Sequence, residues 1–151
     1  MSDFVAAGGA AFSSRRMDWE TPQTLFDSLD AEFHFTLDAA STDDNAKCVR
    51  HYTPEYSGLD ADWSGETVFC NPPYGRELPR WVEKCAYEAL KPGTTVVMLV
   101  PSRTDTRWFH RWIYRRAQIR FLKGRLRFET QGVAGDAAPF PSMIAVMGGA
   151  S

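Results

Sequence analysis

The residues best suited to do chemistry lie in one short stretch, "ETVFCNPPYGREL", Glu66 to Leu78. There Asn71-Pro72-Pro73-Tyr74 follows directly on an apolar run. A proline-rich turn that merely ends a strand accounts for the two prolines. It leaves the amide before them and the aromatic after them without a purpose. A reading that uses all four residues is a pair of acceptors beside a flat ring. The prolines fix the backbone, so the Pro72 carbonyl points in one direction. The Asn71 side-chain oxygen is a second acceptor. Two such acceptors suit both hydrogens of one exocyclic amino group, and the Tyr74 ring suits stacking of the base that bears it, worth about 1–3 kcal/mol. An aromatic amine such as adenine N6 is a poor nucleophile because its lone pair is delocalised into the ring. Hydrogen bonds from its N–H groups to Asn71 and Pro72 favour a tetrahedral nitrogen, whose freed lone pair attacks an electrophilic methyl group in line.

Such a tetrapeptide must be held by regular elements, and the flanking sequence supplies them. Thr21 is expected to cap a helix with Pro22 at its first position, followed by Leu25, Phe26, Leu29 and Phe33 at helical spacing. "FHFTLD", Phe33 to Asp38, reads as a strand ending in a carboxylate, and "ASTDDNAK" as a turn able to open a short helix. "TVFCN" is a second buried strand. "ELPRWVEKCAYEAL" is an amphipathic helix with Leu78, Trp81, Val82, Cys85 and Leu90 inward, stopped by Lys91-Pro92-Gly93. "TTVVMLV" is a β-branched run of the kind buried on both faces of a parallel sheet. "TDTRWFHRWIYRRA" reads as a second crossover helix capped by Thr104 or Asp105, and "QIRFL", "RLRFET" and "SMIAVM" as closing strands. Alternating strands and helices imply an α/β fold with a mostly parallel open sheet. Ligands of such sheets bind outside the strands' carboxyl ends, where Asp38, Asn71 and Arg103 all fall.

The 151 residues suit one domain. Residues 1–16 read as a flexible leader and 17–151 as a single catalytic domain with no separate target-recognition domain. The net charge of −2 argues against a general polyanion binder. Residues 103–127, however, hold nine Lys or Arg against Asp105 alone. This local basic block favours phosphate over a merely solvated face. Arg107, Arg111 and Arg115 recur at i, i+4, i+8 on one stripe, and Trp108, Phe109, Trp112 and Ile113 lie opposite as core. Arg125 and Arg127 alternate with Leu126 and Phe128, so both arginines share a strand face. Three cysteines without an export signal suggest reduced thiols in a cytosol. His34, His51 and His110 lack ligand spacing, so no metal is expected; no apolar run is long enough to span a bilayer.

The ordered set "WETPQTLFDSLDAEFHFTLDAA", "NAK", "GLDADWSGETVFCNPPYG", "WVEKCAYEA", "LVPSRTDTRWFH", "GRLRF" and "APFPSMIAV" resembles the phage-type DNA N6-adenine methyltransferase family, from about Trp19 to Met147. The resemblance implies a Rossmann-like fold, S-adenosylmethionine as cofactor, DNA as partner and a phage or prophage origin in a bacterial cytoplasm. It assigns catalysis to Asn71, Pro72, Pro73 and Tyr74, the family's motif IV. It assigns the cofactor's methionine carboxylate to the "WETP" segment with Trp19, Thr21 and Pro22, where a helix N-terminus suits an anion, and the rest of the cofactor to Asp38 and Ala39 of motif I, to Asn45, Asp60 and Asn71. It places Arg103 and Asp105 against the target nucleotide, Arg107, Arg111, Arg115, Arg125 and Arg127 on the DNA backbone, and Phe128 either against the target base or in the core. Two departures stand out. "LDAASTDDN" lacks the glycines usual in motif I, and only about thirty residues separate Asp38 from Asn71, so the sheet must be shortened between motifs I and IV. The alternatives are the same chemistry on RNA adenine or a protein glutamine, and a nucleic-acid-binding module without catalysis.

Overall fold

A computed structural model describes residues 19–149; the leader expected over residues 1–16 lies outside the described residues. Their main sheet runs β1 (Leu37–Asp38), β2 (Thr67–Cys70), β3 (Thr95–Pro101), β7 (Ser142–Gly148) and β4 (Gln118–Phe121), in that spatial order. β1 pairs parallel to β2 and β2 parallel to β3. β7 pairs antiparallel to both β3 and β4. Four of the five strands therefore run the same way, as expected of a mostly parallel sheet, and only the last strand turns back, between β3 and β4. A hairpin of β5 (Glu129–Thr130) and β6 (Val133–Ala134) forms a second, two-stranded sheet. Between Asp38 and Thr67 lies one 3-10 turn, Gly58–Asp60, and no strand–helix unit, so β1 lies directly beside β2.

Among the described residues two α-helices flank the sheet, α1 (Gln23–Phe33) and α2 (Leu78–Glu88). α2 buries Leu78, Trp81, Val82, Cys85 and Ala86 against β3 side chains Val96, Met98 and Val100. Each fully buried side chain of this size contributes about 1.5–3 kcal/mol. Leu90 stays 75% exposed, against expectation, because α2 ends at Glu88 and Leu90 falls in the stop turn. That turn ends on Gly93, whose φ of 74° suits glycine. On the opposite face, Phe26 and Leu29 of α1 pack with Phe69, Val97, Leu99 and Ile144.

Several element boundaries differ from the sequence reading. Pro22, not Thr21, stands at the cap of α1, and its carbonyl accepts from Phe26 N at 3.1 Å. The strand expected over Phe33–Asp38 shrinks to Leu37–Asp38, because Phe33 still belongs to α1 and His34 turns the chain at φ 58°. "ASTDDNAK" opens no helix; Thr42 N and Asn45 N each donate to the other residue's side chain and close the turn. The helix expected from Thr104 is a single π-helical turn, Phe109–Ile113. Neither Thr104 nor Asp105 caps it: Phe109 N donates to Thr106 Oγ1 at 3.3 Å. Arg125–Phe128 is an extended segment outside the strands, tied by Ala138 N to Leu126 O and Gly135 N to Phe128 O.

Candidate functional site

The carboxyl ends of β1 and β2 open onto a cavity of about 650 Å³. Its lining includes Trp19, Thr21, Asp38, Ala39, Asn45, Asp60, Asn71, Pro72 and Pro73, which the sequence separates by as much as about a third of the chain. Phe69 and Trp81 add apolar surface, and Lys47, Ser57, Leu59 and Arg80 complete much of the wall. Sequence reasoning had not singled out these last four. Lys47, Leu59 and Arg80 lay inside quoted segments without a role, Ser57 lay outside them, and no periodicity marks the loop from Thr53 to Ser57. Gly58 makes the wall possible: a Cβ there would sit 2.3 Å from the Ala39 carbonyl oxygen.

Asn71 sits just past β2, half-buried, with its amide orientation set by the protein. Nδ2 donates to the Trp19 carbonyl at 2.9 Å and to Thr21 Oγ1 at 3.1 Å. A carbonyl can only accept, so the nitrogen must face Trp19 and the oxygen must face away. Among the described residues no group donates to Asn71 Oδ1 or to the Pro72 carbonyl. Both acceptors remain open at the cavity. Thr21 is buried and bonds Asn71 instead of capping α1.

The first free N–H of α1, that of Gln23, donates to Glu129 Oε2 at 3.1 Å. The helix N-terminus expected to receive a ligand anion thus already holds a side-chain carboxylate, and Pro22 lies outside the cavity lining.

Asp38 ends β1 and is 3% exposed. Its carboxylate accepts from Lys47 N at 2.9 Å and Ala40 N at 3.3 Å. Burial pushes its pKa up to about 6, against the pull of those two N–H groups and of nearby His51 and Lys47. Asn45 spends its side-chain oxygen on Thr42 N at 2.7 Å. Among the described residues its amide nitrogen has no acceptor, so it is left to the cavity.

Tyr74 does not line the cavity. Its hydroxyl donates to the Leu99 carbonyl at 3.1 Å, and burial drives its pKa well up. Its ring meets Trp19, Phe128 and Phe140 edge-on at centroid distances of 5.6, 6.2 and 5.7 Å. Trp19 stacks on Phe140 at 4.7 Å and 14°. Phe128 is both a core residue, 7% exposed, and a member of this aromatic cluster.

The basic residues stand apart. Asp105, Arg107 and Arg111, with Thr106 and His110, frame a separate open depression. The expected stripe through Arg115 is broken by the π-helical turn: Arg115 takes φ 66° and lies over the Tyr114 ring at 5.6 Å. Arg111 and Arg116 lie over the half-buried Trp112 ring at 5.0 and 5.9 Å. Arg103 is exposed just past β3. Arg125 and Arg127 donate to the carbonyls of Ala138 and Gly135, bracing the loop that follows them. Among the described residues no group of three His, Cys, Asp or Glu is placed to hold a metal ion, and no helix is long and apolar enough to cross a membrane.

Comparison with known proteins places the whole chain rather than the individual site residues. The model of the family described as DNA N-6-adenine-methyltransferase (Dam) matches residues 10–148. The DNA N-6-adenine-methyltransferase of Haemophilus phage HP1 (strain HP1c1) is 32% identical over 106 residues, which are 69% of this chain and 61% of that protein. The DNA N-6-adenine-methyltransferase of Escherichia phage T1 is 29% identical over 116 residues, 76% of this chain and 48% of that protein. The putative methyltransferase YfdM of Escherichia coli (strain K12) is 40% identical over 63 residues, 37% of this chain and 69% of that protein. The chain thus spans less than two thirds of the length of the two phage proteins it matches. With the family model aligned along nearly all of it, the chain belongs to the DNA N-6-adenine-methyltransferase (Dam) family.

Proposed function

We propose that this chain methylates the N6 amino group of adenine in DNA, using S-adenosylmethionine, on a Rossmann-like methyltransferase fold. The observation that carries the reading is the pair of acceptors without a donor, Asn71 Oδ1 and the Pro72 carbonyl, on two adjacent residues that line a cavity. Family membership supports the same chemistry.

The cavity suits the cofactor. Its volume lies within the roughly 300–1,000 Å³ common for small-molecule sites. Asp38 and Asp60 offer carboxylates to a cationic ligand, the Asn45 amide nitrogen is a free donor, and Leu59 and Trp81 offer apolar faces to a flat ring. Of the residues assigned to hold it, Trp19, Thr21, Asp38, Ala39, Asn45, Asp60 and Asn71 line the cavity, and Pro22 does not. When bound, the cofactor supplies an electrophilic methyl group on a sulfonium centre.

The chain's own residues handle the amine. Asn71 Oδ1 and the Pro72 carbonyl accept its two hydrogens and draw them out of the base plane, which returns lone-pair density to N6. Pro72 and Pro73 keep that carbonyl from turning away. Positioning and fixed dipoles therefore supply the acceleration. Adenine N6 is hidden in duplex DNA, so the target base must leave the stack or arrive on a single strand. Trp19, which lines the cavity and holds Asn71 through its carbonyl, offers a displaced base an aromatic surface, backed by Phe140 stacked on it. Arg103, Arg107 and Arg111 are exposed and suit the phosphate backbone. Residues 17–151 form the catalytic unit, and it acts in the cytoplasm of a bacterial host.

The test is transfer of labelled methyl from S-adenosylmethionine to unmethylated DNA, with mass spectrometry of the nucleosides. N6-methyladenine is the expected product. Cofactor binding without transfer to DNA would redirect the assignment to RNA adenine or a protein glutamine. No cofactor binding would favour a binding module.

A further inference from the structure

We propose that Thr21 is a positioning residue for the reaction, which sets the Asn71 carboxamide so that its oxygen, not its nitrogen, meets the substrate amine. The inference rests on the functional reading above for its catalytic consequence, but its structural content stands independently.

A carboxamide has two orientations of nearly equal shape. Only one presents an acceptor to an amine; the other presents an N–H to an N–H and repels it. In this chain the choice is built in. Both Nδ2 hydrogens of Asn71 have acceptors, the Trp19 carbonyl at 2.9 Å and Thr21 Oγ1 at 3.1 Å. Turning the amide would set Oδ1 against the Trp19 carbonyl, two acceptors facing with no hydrogen between them. The Thr21 bond is shielded, since Thr21 is 3% exposed, and a buried N–H left without a partner is costly. Donating both hydrogens also polarises the amide and makes Oδ1 a stronger acceptor.

The anchor is itself held in register. Glu20, between the two acceptor residues, pairs with Glu129 by backbone bonds in both directions, at 3.2 and 2.9 Å. The Trp19–Thr21 segment therefore behaves as a short strand fixed to β5, and Thr21 cannot follow Asn71 if the amide turns. This role differs from the contact with the cofactor carboxylate that the family resemblance assigns to Thr21. A binding contact acts on cofactor affinity; an orienting contact acts on turnover.

The experiment compares wild type, Thr21→Val and Thr21→Ser. Valine keeps the shape and removes the acceptor; serine restores it. In steady-state methyl transfer to DNA, Thr21→Val is expected to lower kcat about tenfold while KM for S-adenosylmethionine stays near wild type and Tm falls by only about 2–6 °C, as for one buried N–H left unpaired. Thr21→Ser is expected to recover kcat to within about threefold. A Thr21→Val variant that raises KM for the cofactor at unchanged kcat, or a serine variant no better than valine, overturns the proposal. A second readout does not need activity. The Asn71 side-chain N–H pair, assigned by its absence in Asn71→Ala, should exchange slowly with solvent, and Thr21→Val should release one of the two hydrogens. Fast exchange of both in wild type refutes the orientation. Slow exchange without any methyl transfer would leave the orientation standing and sink the functional reading alone.

Discussion

Glu129 caps a helix more than a hundred residues away in sequence: its Oε2 accepts from Gln23 N, the first free N–H of α1, at 3.1 Å. The same residue pairs with Glu20 through its backbone. One strand end thus closes α1 and holds the segment that anchors Asn71. Replacing Glu129 by Ala should cost about 1 kcal/mol of stability, as for loss of an N-cap acceptor and a favourable charge at a helix start. Urea unfolding of the variant checks this, and a midpoint equal to wild type would show that the contact contributes nothing.

Asn71→Ala removes the side-chain acceptor and leaves the Pro72 carbonyl. Turnover on DNA should fall at least about a hundredfold, the usual scale for one preorganised group in the transition state. Affinity for S-adenosylmethionine, measured by calorimetry, should stay within about threefold, because Asp38 and Asp60 carry that task. Comparable losses in both would mean that Asn71 serves chiefly to hold the cofactor.

Asp38 makes stability depend on pH. Its folded pKa, about 6, lies above its ordinary value of 3.8 because burial disfavours the charged form. The folded state therefore holds this proton more tightly than the unfolded chain. The contribution is full below the unfolded value and is lost as pH rises through about 6, on the order of 3 kcal/mol in all. His51, raised by Asp43 and the Val49 carbonyl, acts in the same direction at higher pH. Thermal melts of the ligand-free protein should show Tm falling between about pH 4.5 and 7, and Asp38→Asn should flatten that fall. Cofactor affinity should move the other way and strengthen as Asp38 ionises. An unchanged slope in Asp38→Asn would assign the dependence elsewhere.

Glu88 is a buried carboxylate held from three sides. Trp63 N donates to it at 2.8 Å, Lys84 Nζ at 2.8 Å and Lys91 Nζ at 2.9 Å. Burial alone would raise its pKa, but the two lysines and the N–H outweigh this and hold it below the ordinary value. Glu88→Gln should cost about 3 kcal/mol, because Lys84, 16% exposed, is left without its counter-charge. Denaturant midpoints test this, and a change under about 0.5 kcal/mol would refute it.

The depression framed by Arg107 and Arg111 predicts where DNA phosphate contacts matter most. The Arg107→Ala/Arg111→Ala double variant should weaken DNA binding and shallow the log K against log salt slope by roughly two. Arg115→Ala should have a smaller effect, since Arg115 packs over Tyr114 outside that depression. Equal slopes in all variants would make these arginines an ordinary solvated face.

What the sequence determined by itself is what depends on local pattern and residue chemistry. The β-branched run of β3, the apolar face of α2 and the Asn-Pro-Pro-Tyr turn after β2 are legible because each rests on neighbours within one or two turns of chain. So is the convergence of Asp38 and Asn71, since parallel strands bring their carboxyl ends to one edge. Tertiary structure alone decided the rest. Thr21 reads as a helix cap and becomes an anchor for Asn71, because hydroxyl geometry cannot choose between a backbone N–H nearby and an amide fifty residues away. The arginine stripe reads as continuous helix, but buried Phe109 and Ile113 fit the core through a π-helical turn, which breaks the spacing before Arg115. "SMIAVM" reads equally well as either strand sense. Its antiparallel place between β3 and β4 follows from the path of the chain, which periodicity does not record.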